Sequence, residues 1–289
     1  MPDVRGALAT ALPGYVVESV SLLGEGLDNT AFEINNELIV RFSRSPDPER
    51  TDREARLLTL LHRISPLPVP EPIIVPGEHW LAYRKLPGTP LLNLAAPPHP
   101  AKIAATLRDF LRALHAVPAD QVAGLVDTDD QSPREWRSDA AEIYSVVAKH
   151  VPSLFRRRIE AFLNAEPPPA TSRLAFSHND LGIEHVLVDP RTGAVTGIID
   201  WSDAALVDPA YDYGLLFRDL GPVALPPDDD IEPGIRERAV FFARCSVLED
   251  LAYGVETGRQ RYTDKSLAAL SWLFPATEPS GGQPEGGAR

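Results

Sequence analysis

The sequence predicts an α+β chain of two lobes: a small antiparallel-sheet lobe over residues 1–87 and a larger, mostly helical lobe over 88–275. Three observations predict it. Short apolar and β-branched runs joined by polar turns crowd the first part of the chain, as in hairpins. Amphipathic runs at helical spacing fill most of the rest. Between them, Pro87-Gly88 ends one pattern before the other begins.

In the first lobe, Val16–Leu23 reads as a strand and Thr30–Ile34 as the next. The tight Asn35-Asn36 turn leads into a third, Glu37–Phe42. Asp47–His62 has helical spacing, with Ala55, Leu57, Leu58 and Leu61 on one face. Pro66, Pro68, Pro70 and Pro72 forbid helix and imply an extended connector. Trp80–Leu86 is one more strand.

In the second lobe, Ala101–Val117 carries Ile103, Leu107, Phe110, Leu111 and Leu114 on one face. Glu135–Lys149 and Ser153–Leu163 are further helices, and Pro167–Pro169 break the pattern. Arg173–Phe176 is a short strand. Val186–Val188 and Val195–Ile199 form the arms of a hairpin around the turn Asp189–Gly193. Asp208 suits an N-cap and Pro209 a first helical position. Ile235–Tyr253 and Asp264–Leu273 close the fold. The tail 276–289 is rich in Gly, Pro and Glu, which predicts disorder.

With 289 residues, 44% hydrophobic and 24% charged, the composition is that of a soluble globular protein. A formal net charge of −13 argues against nucleic acid or an anionic membrane surface as partner, since either wants a basic stripe. It suits a cationic substrate, and equally suits plain solubility. Cys245 is the only cysteine, so no internal disulfide or cysteine metal cluster forms, which fits a reducing compartment. The first residues lack the apolar core of a signal peptide, and no apolar run approaches a membrane span, so the expected location is the cytoplasm.

The chemistry concentrates between Phe176 and Asp212. Asp180 lies in a loop between two apolar runs, five residues before His185, and Asp200 ends the run Val195–Ile199. The hairpin delivers all three to one end. One acid can take a proton from a hydroxyl; the other, with His185, can hold a divalent metal against phosphates. That is the minimum for moving a phosphoryl group from a nucleotide to an alcohol. A structural network of loop acids is the competing explanation. Asp212 could point back to brace this loop, and His115 suits a packed, hydrogen-bonded histidine.

Farther upstream, Gly24 and Gly26 lie between two strands, where glycine lets backbone N–H groups approach phosphate closely. Arg41 ends a strand at a suitable separation, and Glu54 on the next helix could pair with it. An ordinary turn, a surface arginine and a solvated glutamate account for the same residues taken singly.

Together these stretches resemble the aminoglycoside phosphotransferase family, relatives of choline kinases and eukaryotic protein kinases. The matching segments are L-L-G-E-G-L-D-N, I-V-R-F, R-E-A-R-L-L, Y-R-K-L-P-G-T-P-L, L-R-A-L-H, H-N-D-L-G-I-E-H-V-L-V-D, I-I-D-W-S-D and D-P-A-Y-D, from about Leu22 to Asp219. The resemblance implies a protein kinase-like fold, with Asp180 orienting the acceptor hydroxyl and Asp200 binding magnesium between nucleotide phosphates. It also implies a hinge at Tyr83, Arg84, Lys85 and Leu86 that holds the purine through backbone groups.

His185 replaces the family's commoner Asn, as in the branch that includes aminoglycoside 2″- and macrolide 2′-phosphotransferases, where GTP is often used. Arg41 replaces the usual Lys. The reading is an O-phosphotransferase using ATP or GTP with magnesium on a cationic hydroxylated antibiotic. A metabolite kinase acting on a small amine or sugar, and a catalytically dead binding module, are the alternatives. For a cationic acceptor, Asp203, Asp219, Glu249, Asp250 and Glu256 are the candidate contacts; each also reads as ordinary surface charge.

Overall fold

The computed structural model describes residues 3–25, 29–44, 47–73, 79–225 and 232–276. It opens on a short helix, α1 (Val4–Ala11), which the sequence reading did not anticipate. Asp3 caps it by accepting from the Gly6 N–H, and Val4 and Leu8 pack it on the first sheet.

That sheet has five antiparallel strands: β1 (Val20–Glu25), β2 (Asn29–Ile34), β3 (Leu38–Ser43), β4 (Pro72–Ile73) and β5 (Trp80–Arg84), in spatial order β1-β2-β3-β5-β4. The β2–β3 turn is Asn35-Asn36, with φ of 52° and 56°. Two left-handed residues suit the strand twist, and Asn tolerates that region better than most residues. Phe32, Ile34, Leu38, Val40, Phe42 and Trp80 are buried between the sheet and α1.

Helix α2 (Pro48–Ile64) follows β3, capped by the Asp47 carboxylate, which accepts from the N–H groups of Glu49 and Arg50. Its buried face includes Ala55, Leu57, Leu58 and Leu61 and belongs to the larger core. At the junction with the second region, Gly88 has φ of 113°, and a side chain there would lie 3.0 Å from the Val188 carbonyl. Only glycine suits both conditions.

The second region contains α3 (Pro100–His115), α4 (Pro133–Val147), α5 (Ser153–Asn164), α6 (Ala210–Leu220), α7 (Ile235–Thr257) and α8 (Gln260–Leu273). Two three-stranded sheets sit among them. One orders β10 (Val195–Ile198), β9 (Val186–Val188) and β6 (Thr89–Pro90); the other orders β7 (Asp127–Thr128), β11 (Ala205–Val207) and β8 (Ala175–Ser177). Helix α7 is buried around much of its circumference, as a core helix should be. Ser132 opens α4 with a reciprocal capping box to Glu135.

An antiparallel-sheet N-terminal region and a helical C-terminal region therefore form the α+β arrangement that the sequence predicts. Helix α6 starts one residue later than expected, at Ala210, yet the Asp208 carboxylate still accepts from the Ala210 N–H at 2.9 Å. Residues 277–289, where the disordered tail was expected, lie outside the described residues, apart from Ala276 at their edge.

Candidate active site

The β9–β10 hairpin and the loop after β8 meet at the mouth of a cleft of about 1190 Å³. Gly24, Asn29, Ala31 and Arg41 line its sheet end; Tyr211, Ser246, Glu249, Asp250, Tyr253 and Tyr262 are among the residues at its helical end. Asp180, His185 and Asp200 line it too.

The loop carrying Asp180 is held by groups that sequence reading only partly identified. Asp212, wholly buried on α6, accepts from the backbone N–H groups of His178 at 3.1 Å and Asn179 at 2.9 Å. Its Oδ2 also meets His115 Nε2 at 3.0 Å. The sequence suggested this brace. The role of His178 was not foreseen. Its Nε2–H donates to the Ile199 carbonyl at 3.0 Å, and its Nδ1 accepts from the Asp180 N–H at 3.3 Å. Those two bonds require one neutral tautomer. Burial pushes the ring down to about 4, in keeping with that form. His178 thus ties the Asp180 loop to the strand that ends at Asp200, and its ring lies 4.6 Å from that of Trp201. A histidine two residues before an acid was the available signal.

His185 Nδ1–H donates to the Asp180 carbonyl at 2.8 Å, with the Asp180 carboxylate 3.4 Å away. That leaves Nε2 facing the Asp200 carboxylate at 3.7 Å. Asp200 has φ of 63°, a left-handed backbone costing roughly 1–2 kcal/mol for a side-chain-bearing residue. Ser202 Oγ donates to its Oδ1 at 3.0 Å. Burial pushes the Asp180 carboxyl up to about 7, with His185 opposing. Burial acts the same way on Asp200, but Arg41 and then His185 outweigh it and hold that carboxyl below its ordinary range.

Arg41 crosses between the two regions. Its guanidinium meets Glu54 at 2.8 Å and Asp200 at 3.3 Å, and it also bonds the Tyr83 hydroxyl. The pairing of Arg41 with Glu54 gives both residues a partner inside the cleft wall, where a surface arginine and a solvated glutamate were the alternatives.

Other expected residues fall elsewhere. Gly24 lines the cleft; Gly26 lies outside the described residues. Of the expected hinge, Tyr83 is buried and Leu86 packs over Gly197. Arg84 and Lys85 are exposed. The Lys85 ammonium pairs with Glu33 at 2.6 Å, and its backbone N–H donates to the Glu37 carbonyl at 2.7 Å. That N–H is committed within the sheet region, so Lys85 has no backbone donor left for a purine.

Among the expected acceptor contacts, Asp203 and Glu249 line the cleft and are exposed. Asp250 lines it but is buried, pairing with Lys265 at 3.0 Å and Arg218 at 3.7 Å. Asp219 is a correction: its carboxylate is 2% exposed, accepts from Arg218 at 2.7 and 2.9 Å and from the Ile183 N–H at 3.1 Å, and pairs with Lys265 at 3.2 Å. It has no face left for an acceptor. Glu256 is exposed and is not among the cleft-lining residues, so it too drops out of the set.

Lys265 also meets Glu184, in the loop that follows Asp180, at 2.9 Å. Two cations therefore bind three carboxylates at the base of the loop. Sequence reading missed this cluster because its members are spread from residue 184 to 265.

Residues 19–238 match the phosphotransferase enzyme family (APH), and the chain belongs to that family. An uncharacterized Bacillus subtilis protein, YcbJ, is 30% identical over 187 residues, covering 60% of this chain and 59% of its own length. The chain thus spans less than two thirds of that relative. Among solved structures, an aminoglycoside 2′-phosphotransferase-IIIa bound to GDP superposes with a TM-score of 0.68 at 23% identity, covering 93% of this chain and 97% of that one. A macrolide 2′-phosphotransferase from Brachybacterium faecium, solved as the apoenzyme, gives 0.59 at 24% identity, covering 96% and 100%. At these identities the likeness is one of fold. Among the described residues no helix is long and apolar enough to cross a membrane.

Proposed function

We propose that this chain transfers the γ-phosphoryl group of ATP or GTP to a hydroxyl of a cationic, hydroxylated antibiotic, aminoglycoside or similar, and so confers resistance. The observation that carries the reading is the gathering of Asp180, His185, Asp200 and Arg41 at one cleft, with Asp180 braced by Asp212 and His178. The solved structures of similar fold, phosphotransferases of aminoglycosides and macrolides, support the acceptor class.

Each residue has a separable task. Asp180 accepts the hydroxyl proton as the acceptor oxygen bonds to phosphorus and the bond to the nucleoside diphosphate breaks. His185, through its bond to the Asp180 carbonyl, fixes the turn that presents this carboxylate. Arg41, oriented by Glu54, offers a permanent charge to nucleotide phosphates. Gly24 allows backbone to approach them.

The donor set also fits magnesium. Asp200 supplies a carboxylate that is 40% exposed toward the cleft, and His185 Nε2 faces the same space. Among the described residues no group of three or more His, Cys, Asp and Glu side chains is arranged to hold a metal ion. A hard cation here would take most of its oxygens from phosphates and water, which is how magnesium is usually held. Bound there, it would neutralise charge developing on the transferred phosphate.

The test is transfer of label from γ-labelled ATP and GTP to a panel of hydroxylated antibiotics, beside a resistance scan in a susceptible bacterium. Labelled antibiotic formed by the wild type and not by Asp180→Asn supports the reading. Nucleotide binding with no transfer to any hydroxylated acceptor would leave the family's fold without this function.

A further inference from the structure

Helix α2 meets the second region through charge as well as through its buried apolar face. Arg53 and Glu54 are neighbours on this helix and reach different places. Glu54 holds Arg41 at 2.8 Å, and Arg41 in turn meets Asp200 at 3.3 Å. Arg53 reaches β7 instead. Its two terminal nitrogens donate to the two carboxylate oxygens of Asp127 at 3.0 and 3.3 Å. A planar fork that meets both oxygens fixes orientation as well as distance.

Asp127 is itself tied to the segment that carries Asp200. It lies in parallel register with Ala205 of β11, a short turn beyond Asp200, and the Asp129 N–H donates to the Leu206 carbonyl at 3.0 Å. Two routes out of α2 therefore converge on one stretch of chain. Glu54 reaches it through Arg41 at Asp200, and Arg53 reaches it through Asp127 at β11. Between the routes is a cavity of about 40 Å³, with Arg53, Glu54, Leu57, Asp127, Trp201 and Ser202 in its wall. Close packing does not hold that side of α2, so the charged contacts around the cavity fix it. Neither Arg53 nor Asp127 is among the residues lining the main cleft.

We propose that Arg53 and Asp127 are positioning residues for the nucleotide. Their fork is a clasp outside the cleft that holds α2 where Glu54 keeps Arg41 aimed at the phosphates. When the clasp opens, α2 draws Glu54 away, and Arg41 turns to Asp200, the carboxylate assigned above to magnesium. Apparent nucleotide affinity then falls with the fraction of molecules in which Arg41 is held. Acceptor binding, and kcat at saturating nucleotide, do not depend on the clasp. This rests on the phosphotransferase reading above and adds to it two residues that touch neither substrate.

The experiment uses the full chain and titrates the β,γ-imido analogues of ATP and GTP, with magnesium, by calorimetry. Arg53→Ala is expected to weaken the better-bound analogue about threefold, or ~0.7 kcal/mol at 1.4 kcal/mol per tenfold, within the reach of a surface ion pair. Arg53→Glu, repelled by Asp127, should weaken it further. Arg53→Glu combined with Asp127→Arg should return it to within about twofold of the wild type, as a coupled pair requires. Arg56→Ala is the control: it removes a 3.0 Å pair with Asp52 made within the same helix, and should leave affinity unchanged. In transfer assays the clasp variants should raise nucleotide KM and leave kcat and acceptor KM alone, a split that general loosening of the fold does not produce.

Unchanged affinity in Arg53→Glu overturns the proposal, as does a loss that the charge-swapped pair fails to restore, or an equal loss in Arg56→Ala. Should Arg53→Glu not fold, Asp127→Asn takes its place: weaker binding upholds the clasp and unchanged binding overturns it. Affinity that follows the clasp in a chain that phosphorylates no acceptor upholds the clasp while the transfer reading fails. A wild type that binds neither analogue overturns both.

Discussion

The sheet end and the helical end of the cleft hold similar charged groups under opposite conditions. At the sheet end, Asp200 is 40% exposed, meets Arg41 at 3.3 Å and lies 3.7 Å from His185. At the helical end, Asp219 is 2% and Lys265 9% exposed, and the Arg218–Asp219 contact is 2.7 Å. Burial would raise the Asp219 carboxyl, but Arg218 and Lys265 outweigh it and hold it well below the ordinary carboxylate range. The first group has coordinating capacity left over; the second has none. A charge network whose bonds are all made internally holds a fold, and one with unspent lone pairs facing solvent can bind and react. Charge alone does not distinguish them.

Breaking the sheet-end group should therefore cost rate, and breaking the helical-end group should cost stability. The largest effect expected is on Asp180→Ala, with turnover falling by ~10²–10⁴ and nucleotide affinity retained. Steady-state kinetics beside nucleotide calorimetry measure both; a variant keeping more than about a tenth of the wild-type rate, a loss short of that range, removes Asp180 from the reaction.

Next is Lys265→Met, which leaves Glu184, Asp219 and Asp250 with one cation between them. Removing one partner of a buried charge cluster costs about 3–5 kcal/mol, read by denaturant unfolding. A loss below about 1 kcal/mol would mean the cluster is solvated and the contrast between the two ends is false. Because the folded Asp219 carboxyl titrates below its unfolded value, its contribution is present at neutral pH and is lost as pH falls below the unfolded value of about 3.9. Asp219→Asn should accordingly flatten the acid limb of the stability profile, while lowering stability at pH 7.

Asp200→Asn should behave in the opposite way. Its stability change should stay within about 1 kcal/mol, because the side chain is half-exposed and leaves a left-handed position that Asn tolerates better. Its magnesium-dependent nucleotide affinity should fall, whereas affinity measured in chelator should not; equal losses in the two titrations point to a structural role. The smallest effect concerns a contact outside both clusters. Arg53 and Asp127 join α2 to β7 through bonds of 3.0 and 3.3 Å, but Asp127 is 78% exposed. Arg53→Ala should cost only ~0.2–1 kcal/mol in thermal unfolding, diminishing with salt.

Legibility followed the range of the interactions. The Asn35-Asn36 turn, the Asp47 cap, the helical face of α3 and the β9–β10 hairpin rest on neighbours in sequence, and their residues announce them. Helix α1 and strand β11 went unread. The first is eight residues long and depends on burying Val4 and Leu8 against the sheet; the second is three residues held by pairing with β8 and β7. Isolated segments that short have no stability of their own.

The same division runs through the cleft. The sequence by itself determined the α+β division of the chain, the family, and the convergence of Asp180, His185 and Asp200, because a hairpin of fixed arm lengths brings its two ends together. Only the tertiary structure decided which acids are spent. Asp219 and Glu249 are both acids on predicted helices, and the sequence proposes them alike. Folding places two cations, from α6 and α8, against Asp219, and among the described residues none forms an ion pair with Glu249. A carboxylate's free capacity depends on partners and water delivered from distant parts of the chain, and that information exists only once the helices have packed.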